Sequence, residues 1–398
     1  WAITGYRAKH RAKKERKNFG NLVFLSFCLC NTASIPIAKY KNNLKTLFLL
    51  LLTMYSSIFF ILSFFCIFCS NLYAQDNIAT KIDSLIATDF PKKMNGVILI
   101  AHKNKIKYQK AQGFADIDKK NPLTFDNQFI IGSASKQITS VIILQLFDKK
   151  LVDLHIPIKK YLPTLSMSWA DSVTIHHLLN HTSGIDALDK PLAFSAGTKF
   201  AYSNLGYNLL GQIAENVAKK PFETLMNELF IKCKMKNSTS INTPDKKVLS
   251  KGYTTDENKI LKEEIHLGNN KNIASGFMVS NPSDLLLWNQ HLHQGKILSK
   301  KAYQLMITPS SIRNHPLFGA LDYGYGLQMD KSESLFEIGH GGYAKGFATV
   351  NFYYPKTKTS IIVIENIDFQ DETFKKTFFF ETEIRKIIRK NLLILKKK

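Results

Sequence analysis

Cysteine is almost missing from the part of this chain that reads as a folded domain. Four of the five cysteines (Cys28, Cys30, Cys66 and Cys69) fall in the first 74 residues, which leaves Cys233 alone. A lone cysteine makes no internal disulfide, so the core must hold by burial. Lys232 and Lys234 flank it and could activate the thiol, but no thiol-enzyme constellation surrounds it. A helix-end side chain is the simpler reading. Arginine is equally scarce: after residue 74 only Arg313, Arg385 and Arg389 remain. Lysine carries the charge instead, with 44 Lys/Arg against 30 Asp/Glu beyond the leader, a net +14 of the whole chain's +23. Nucleic-acid surfaces favour arginine interleaved with aromatics on one face, so nucleic acid is not the expected partner. A solvated lysine surface suited to anionic envelope surfaces fits better. There is no internal repeat and no low-complexity linker. His177 and His181 are four residues apart with His176 alongside, but the acid of a His-Glu-x-x-His metal arrangement is absent. Gly184 shortly after suggests a helix end with His181 bonded locally, and no metal is expected.

Acidic residues are also missing from the start. Residues 1–46 carry ten Lys/Arg against Glu15 alone, and the first residue is Trp1, not Met. Residues 1–43 are therefore read as upstream sequence, with a start near Leu44 and Lys45 as the basic flank. Leu47 to Cys69 is almost wholly apolar and ends at Tyr73-Ala74-Gln75. Basic flank, apolar run and small residue make a secretory signal cut after Ala74. If the run is retained, residues 47–69 form a membrane anchor, since they are long enough to span a bilayer. A lipoprotein cut at Cys69 fits less well, because Ile67-Phe68 are not small. The expectation is a leader over 1–74 and one domain over 75–398, periplasmic or extracellular.

Within that domain, periodicity predicts a helix over 76–87, a strand from Gly96 to Ala101, a turn at Lys103-Asn104 and a return strand from Ile106 to Ala111. A helix follows from Ser133 to about Lys149. Residues 150–310 read as helical and loop-rich, with helices over 173–179, 205–218, 221–230 and 282–292. Strands return at 335–338, 347–354 and 360–365, and a helix closes the chain over 371–395. Strands at both ends with helices between them predict an α+β fold: one antiparallel sheet flanked by helices, and a helical insertion beside it. The cleft between the two is where a site is expected.

Three segments could carry chemistry. Ser133 opens an apolar helix, where free N–H groups and the helix dipole favour developing negative charge. Lys136, three residues on, shares its face and can act as base if burial lowers its pKa. This is the chain's single Ser-x-x-Lys, and Gly132 beside it permits close backbone approach. Tyr202-Ser203-Asn204 precedes the next helix; Tyr202 would shuttle a proton to the leaving group, and Asn204 would orient Lys136 and substrate. His340-Gly341-Gly342 follows the predicted strand 335–338, and two glycines after a strand allow a ligand to approach the backbone. There the Tyr343 N–H would complete an oxyanion hole with that of Ser133. His340 would polarise the Tyr202 phenol or bind a substrate carboxylate. Each segment also has a bland reading: a serine cap with a solvated lysine, a helix cap with a packing tyrosine, and a turn with an incidental histidine.

In this order, Ser133-x-x-Lys136, Tyr202-x-Asn204 and His340-Gly341-Gly342 resemble the penicillin-recognising serine hydrolases, in the branch of class C β-lactamases and D-alanyl-D-alanine carboxypeptidases. Phe129-Ile130-Ile131-Gly132, Leu178-Leu179-Asn180-His181-Thr182-Ser183-Gly184, Ala274-Ser275-Gly276, Tyr323-Gly324-Tyr325-Gly326 and Gly339 to Phe347 agree with it. The likeness covers roughly residues 76–390. It implies an antiparallel sheet with an all-helical subdomain, Ser133 at their junction, and no cofactor. It further implies an acyl-enzyme formed at Ser133 with an amide, ester or β-lactam substrate. β-Lactamases of this branch usually carry Lys-Thr-Gly where His340-Gly341-Gly342 stands, and Pro-Gly where Ala196-Gly197 stands. The histidine favours a D-alanyl-D-alanine carboxypeptidase-like or esterase activity over a class C-type β-lactamase. A non-catalytic relative binding cell-wall peptides is the reading from another class. Loops 187–195 and 309–323 are expected to shape substrate choice.

Overall fold

The computed structural model describes residues 78–243, 248–255, 261–265 and 272–397. The chain divides at residues 72 and 73. Everything below belongs to the second unit; the expected leader, apolar run and cleavage site lie outside the described residues. Among the described residues no helix is long and apolar enough to cross a membrane.

The central element is an eight-stranded antiparallel sheet. Its strands are β1 (Gly96–His102), β2 (Lys105–Gln112), β3 (Ser311–His315), β4 (Gly319–Tyr323), β5 (Gln328–Asp330), β6 (Glu337–Ala344), β7 (Phe347–Tyr354) and β8 (Thr359–Glu365), in the spatial order β3-β4-β5-β6-β7-β8-β1-β2. The N-terminal hairpin therefore joins the sheet through β8, with Val97 opposite Ile364 and Leu99 opposite Ile362. The β1–β2 turn has Lys103 and Asn104 both at positive φ, +50° and +65°, which matches the twist of the flanking strands.

Alternation along each strand sorts side chains between two cores. Val97, Leu99, Ile362 and Ile364 face the large core shared with the helical insertion, while Ile98, Ile100, Ile361 and Val363 face the other side. That second side is covered by α1 (78–86) and the C-terminal α8 (Phe379–Lys397). Phe380, Ile384, Ile388 and Leu392 recur every fourth residue and form the apolar stripe of α8. The insertion is built from α2 (Ser135–Asp148), α3 (Ile175–Leu179), α4 (Asn204–Ala218), α5 (Phe222–Lys232), α6 (Pro282–His293) and α7 (Lys300–Ile307). Two three-stranded ribbons and one two-stranded ribbon complete the described strands.

The expected architecture is present, with three corrections. His340-Gly341-Gly342 is no turn after a strand; β6 runs straight through it, because each residue is paired to β7 in register (His340 to Asn351, Gly342 to Thr349). Residues 311–330 form three strands that local pattern concealed, since β3 is an edge strand of mostly polar residues (Ser-Ile-Arg-Asn-His) without an apolar run. The final helix starts at Phe379, not at 371, after a segment in which Asp371 accepts the N–H groups of Lys376 and Thr377.

Candidate active site

Ser133 sits in a 3₁₀ turn, Gly132–Ala134, which runs into α2. The serine caps nothing: neither helix start has a side-chain cap. The turn is pressed against β6. Gly132 adopts φ +52°, and a Cβ on it would stand 2.5 Å from the Tyr343 nitrogen. On the facing strand, a Cβ on Gly342 would stand 2.0 Å from the Ile131 carbonyl oxygen. Two bare backbones are needed for this approach, which sets the Tyr343 nitrogen against Gly132, the residue before Ser133. The Tyr343 side chain points elsewhere, donating to Asp368 Oδ2 at 2.7 Å.

Lys136 is fully buried, one of the largest such side chains described. Its Nζ lies 3.2 Å from Ser133 Oγ, 2.7 Å from Asn204 Oδ1 and 2.6 Å from the Ser275 carbonyl oxygen. Two of these partners can only accept. The third, a hydroxyl, can also donate, so a neutral amine is equally well served: two N–H groups go to Asn204 and Ser275, and its lone pair takes the Ser133 O–H. Burial, and secondarily the Arg313 charge, push the Lys136 pKa well below its ordinary value.

Ser203 provides the N-cap of α4 through the Gly206 N–H, at 3.0 Å, which fixes Tyr202 and Asn204 on either side of it. The Tyr202 ring lies under Lys136 Nζ, 4.8 Å from the centroid. Its hydroxyl is buried without a regular hydrogen-bond partner, although Ser133 is close enough to favour its ionised form. Burial outweighs this and the Arg313 charge, pushing the phenol up to about 12. Tyr202 therefore stays protonated at neutral pH, next to the serine and without a fixed acceptor.

His340 is placed differently from either expected role. The Ser203 N–H donates to His181 Nδ1 at 3.1 Å, which puts the proton of a neutral His181 on Nε2, facing Tyr323 Oη at 3.1 Å. The Tyr323 hydroxyl then donates to His340 Nε2 at 3.0 Å, and His340 Nδ1–H goes to the Gly341 carbonyl. All four bonds are satisfied with both imidazoles neutral. Burial, reinforced by neighbouring cations, holds both histidines well below their ordinary range. Both His340 nitrogens are thus committed, so it neither polarises the Tyr202 phenol nor presents a charge to a carboxylate. It braces β6 against β4.

Of the residues expected from sequence, Ser133, Lys136, Tyr202, Asn204 and the backbone of Gly342 and Tyr343 converge. Gly341 lies alongside, its N–H facing Gln328 Oε1 at 3.5 Å. His176 bonds Tyr325 and Asn180, and His177 Nδ1 accepts the Thr174 N–H, so the histidine run is tied up locally. Cys233 is buried, and burial pushes its thiol up to about 12. Sequence reasoning missed Arg313, whose guanidinium lies 4.3 Å from the Tyr202 ring centroid. Its scarcity, one of three arginines beyond the leader, was the available signal.

The arrangement can do acyl transfer: a serine with a buried amine beside it, a protonated phenol, and backbone N–H groups from Ser133 in the turn and Tyr343 in the facing strand. Residues 86–384 match the Beta-lactamase family, and the chain belongs to that family of serine hydrolases. It is 26% identical over 314 residues to penicillin-binding protein 4* of Bacillus subtilis (strain 168), covering 69% of this chain and 68% of that protein. It is 25% identical over 322 residues to protein flp of Staphylococcus aureus (strain MW2), covering 72% of this chain and 63% of that one. The chain thus spans about two thirds of the length of these relatives. The solved D-amino acid amidase of Ochrobactrum anthropi SV3 superposes with TM-score 0.67 at 22% identity, over 80% of this chain and 99% of that one, and shares the fold.

Proposed function

We propose that the protein is an exported hydrolase of the D-alanyl-D-alanine carboxypeptidase or esterase type, working through an acyl-enzyme on Ser133. The observation that carries this is the set of partners around Lys136 Nζ: a serine hydroxyl at 3.2 Å and two acceptors at 2.7 and 2.6 Å, which leave a neutral amine its lone pair to take the serine proton. Lys136 takes the Ser133 proton as Oγ attacks the amide or ester carbonyl. The N–H groups of Ser133 and Tyr343 receive the oxyanion. Tyr202 hands a proton to the departing amine or alcohol, and Lys136 returns one to the phenol. Water then attacks the acyl-enzyme by the reverse route. The names of relatives, a penicillin-binding protein and a D-amino acid amidase, support an amide-cleaving reading. Export rests on the apolar run before Ala74 and is tested by N-terminal sequencing of protein recovered from the cell envelope.

The reaction is tested by intact mass after incubation with a penicillin, wild type beside Ser133→Ala. An adduct present in the wild type and absent from the variant is expected. Folded protein without an adduct, but with Ser133-dependent hydrolysis of p-nitrophenyl acetate, replaces the carboxypeptidase reading with an esterase. Absence of both overturns the proposal in favour of a binding relative.

A further inference from the structure

Sequence reasoning gave the recognition of a substrate carboxylate to His340, and the structure takes that role away, because both ring nitrogens are spent inside the protein. His181 is spent in the same chain, and Lys136 is turned toward Ser133, Asn204 and Ser275. Among the described residues one cation near the nucleophile is uncommitted. Arg313 projects from β3, the outermost strand of the sheet, on the same face as Ser311, whose hydroxyl ties the strand to the Asn180 carbonyl at 2.8 Å. Asp322, across from Ile312 in the hairpin, pairs with Lys331 at 3.2 Å. Among the described residues the Arg313 side chain has no ion pair and no hydrogen bond; its contact is with Tyr202, the guanidinium carbon lying over the ring 4.3 Å from its centroid. A cation held over a ring face spends no hydrogen bond there, so the guanidinium N–H groups are left to meet a carboxylate. A half-buried guanidinium with unspent donors, lying over the ring of the candidate proton donor, is built to receive an anion.

We infer that Arg313 is the specificity-determining cation of this site, receiving a carboxylate on the substrate from the β3–β4 hairpin at the sheet edge, where the third motif offers none. The inference rests on the reading of Ser133 as nucleophile only for where the substrate lies. It assigns the preference for anionic substrates to a single side chain outside all three motifs. The β3–β4 hairpin thereby becomes the element that selects substrate.

The test is calorimetric titration of N-acetyl-D-alanine and of its neutral amide, N-acetyl-D-alaninamide, into the wild type, Arg313→Gln and Arg313→Lys. Unchanged melting temperatures show that each variant is folded. The wild type is expected to bind the anion at least tenfold more tightly than the amide. Arg313→Gln should erase that ratio while leaving the amide affinity unchanged, and Arg313→Lys should keep part of it. Equal binding of the two ligands by the wild type, a preference that survives in folded Arg313→Gln, or no saturation by either ligand overturns the inference. Binding is read without turnover, so these results stand apart from the penicillin adduct and p-nitrophenyl acetate hydrolysis that test the reaction itself.

Discussion

Lys136 has three polar partners and no solvent exposure, and this decides its chemistry. An ordinary lysine is charged at neutral pH and useless as a base; burial and the Arg313 charge depress this one. Activity should therefore rise with pH as Lys136 loses its proton, with a midpoint below the ordinary 10.5. Arg313→Gln removes a positive neighbour and should move that limb to higher pH, read from kcat/KM against pH with p-nitrophenyl acetate. An unmoved limb would show that Arg313 has no electrostatic reach to the amine. Tyr202, pushed up to about 12, stays protonated below that pH and adds no limb in the neutral range. Lys136→Ala should cost about 10³-fold in kcat/KM, within the range usual for a general base. Cys233, buried with its thiol pushed up to about 12, should resist iodoacetamide at pH 8 until the protein unfolds, as followed by mass.

At the scale of elements, the site is a contact between a turn and a strand. The 3₁₀ turn carrying Ser133 lies on the backbone of β6, and the two glycines of the third motif do different work there. A Cβ at Gly342 would meet the Ile131 carbonyl at 2.0 Å and the Ala134 nitrogen at 3.1 Å. A Cβ at Gly341 meets nothing nearer than Phe318, at 3.8 Å. Gly342→Ala must push the turn off the strand and part the Ser133 and Tyr343 N–H groups. A fall in kcat of about 10²-fold is expected, comparable to losing one oxyanion donor. Stability should fall by about 1–3 kcal/mol, as for an overpacked core, read from urea melts. Gly341→Ala should leave both nearly unchanged. Equal effects of the two substitutions would show that the contact does not set the oxyanion geometry.

Across the whole molecule, the far face of the sheet is closed by a charge cluster. Lys92 Nζ donates to Glu365 Oε2 and to the Thr377 carbonyl, both at 2.6 Å, with the pair fully buried. Glu381 of α8 sits beside them with both carboxyl oxygens buried; burial, then the Glu365 charge, hold its carboxyl well above the usual range and keep it protonated at neutral pH. A carboxyl raised in the folded state binds a proton that the unfolded chain has released. Glu381 therefore costs stability progressively as pH rises above the ordinary carboxylate value. Glu381→Gln keeps the shape and removes the titrating proton, so its melting temperature should exceed that of the wild type at pH 8, with a smaller gain at pH 5. A gain independent of pH would mean that Glu381 is not the protonated partner. Lys92→Met should destabilise by about 3–5 kcal/mol, since it strands the Glu365 charge in the core.

How much of this could be read beforehand follows the range of each interaction. The sequence by itself determined the two terminal sets of strands, most helices, and the spacing that puts Ser133 and Lys136 on one face, because those depend on neighbours a few residues apart. It also carried the bare backbone at Gly132 and Gly342, since glycine advertises close approach whatever its partner. What the tertiary structure alone decided depends on groups far apart in the chain. It placed His340 inside a strand and spent its nitrogens on Tyr323 and Gly341. It paired the polar residues of 311–315 into an edge strand, where pairing rather than pattern supplies the order. It brought Arg313 across 111 positions onto the Tyr202 ring. A motif states which atoms are available, but their protonation and charge are fixed by burial and by neighbours that only the folded chain assembles.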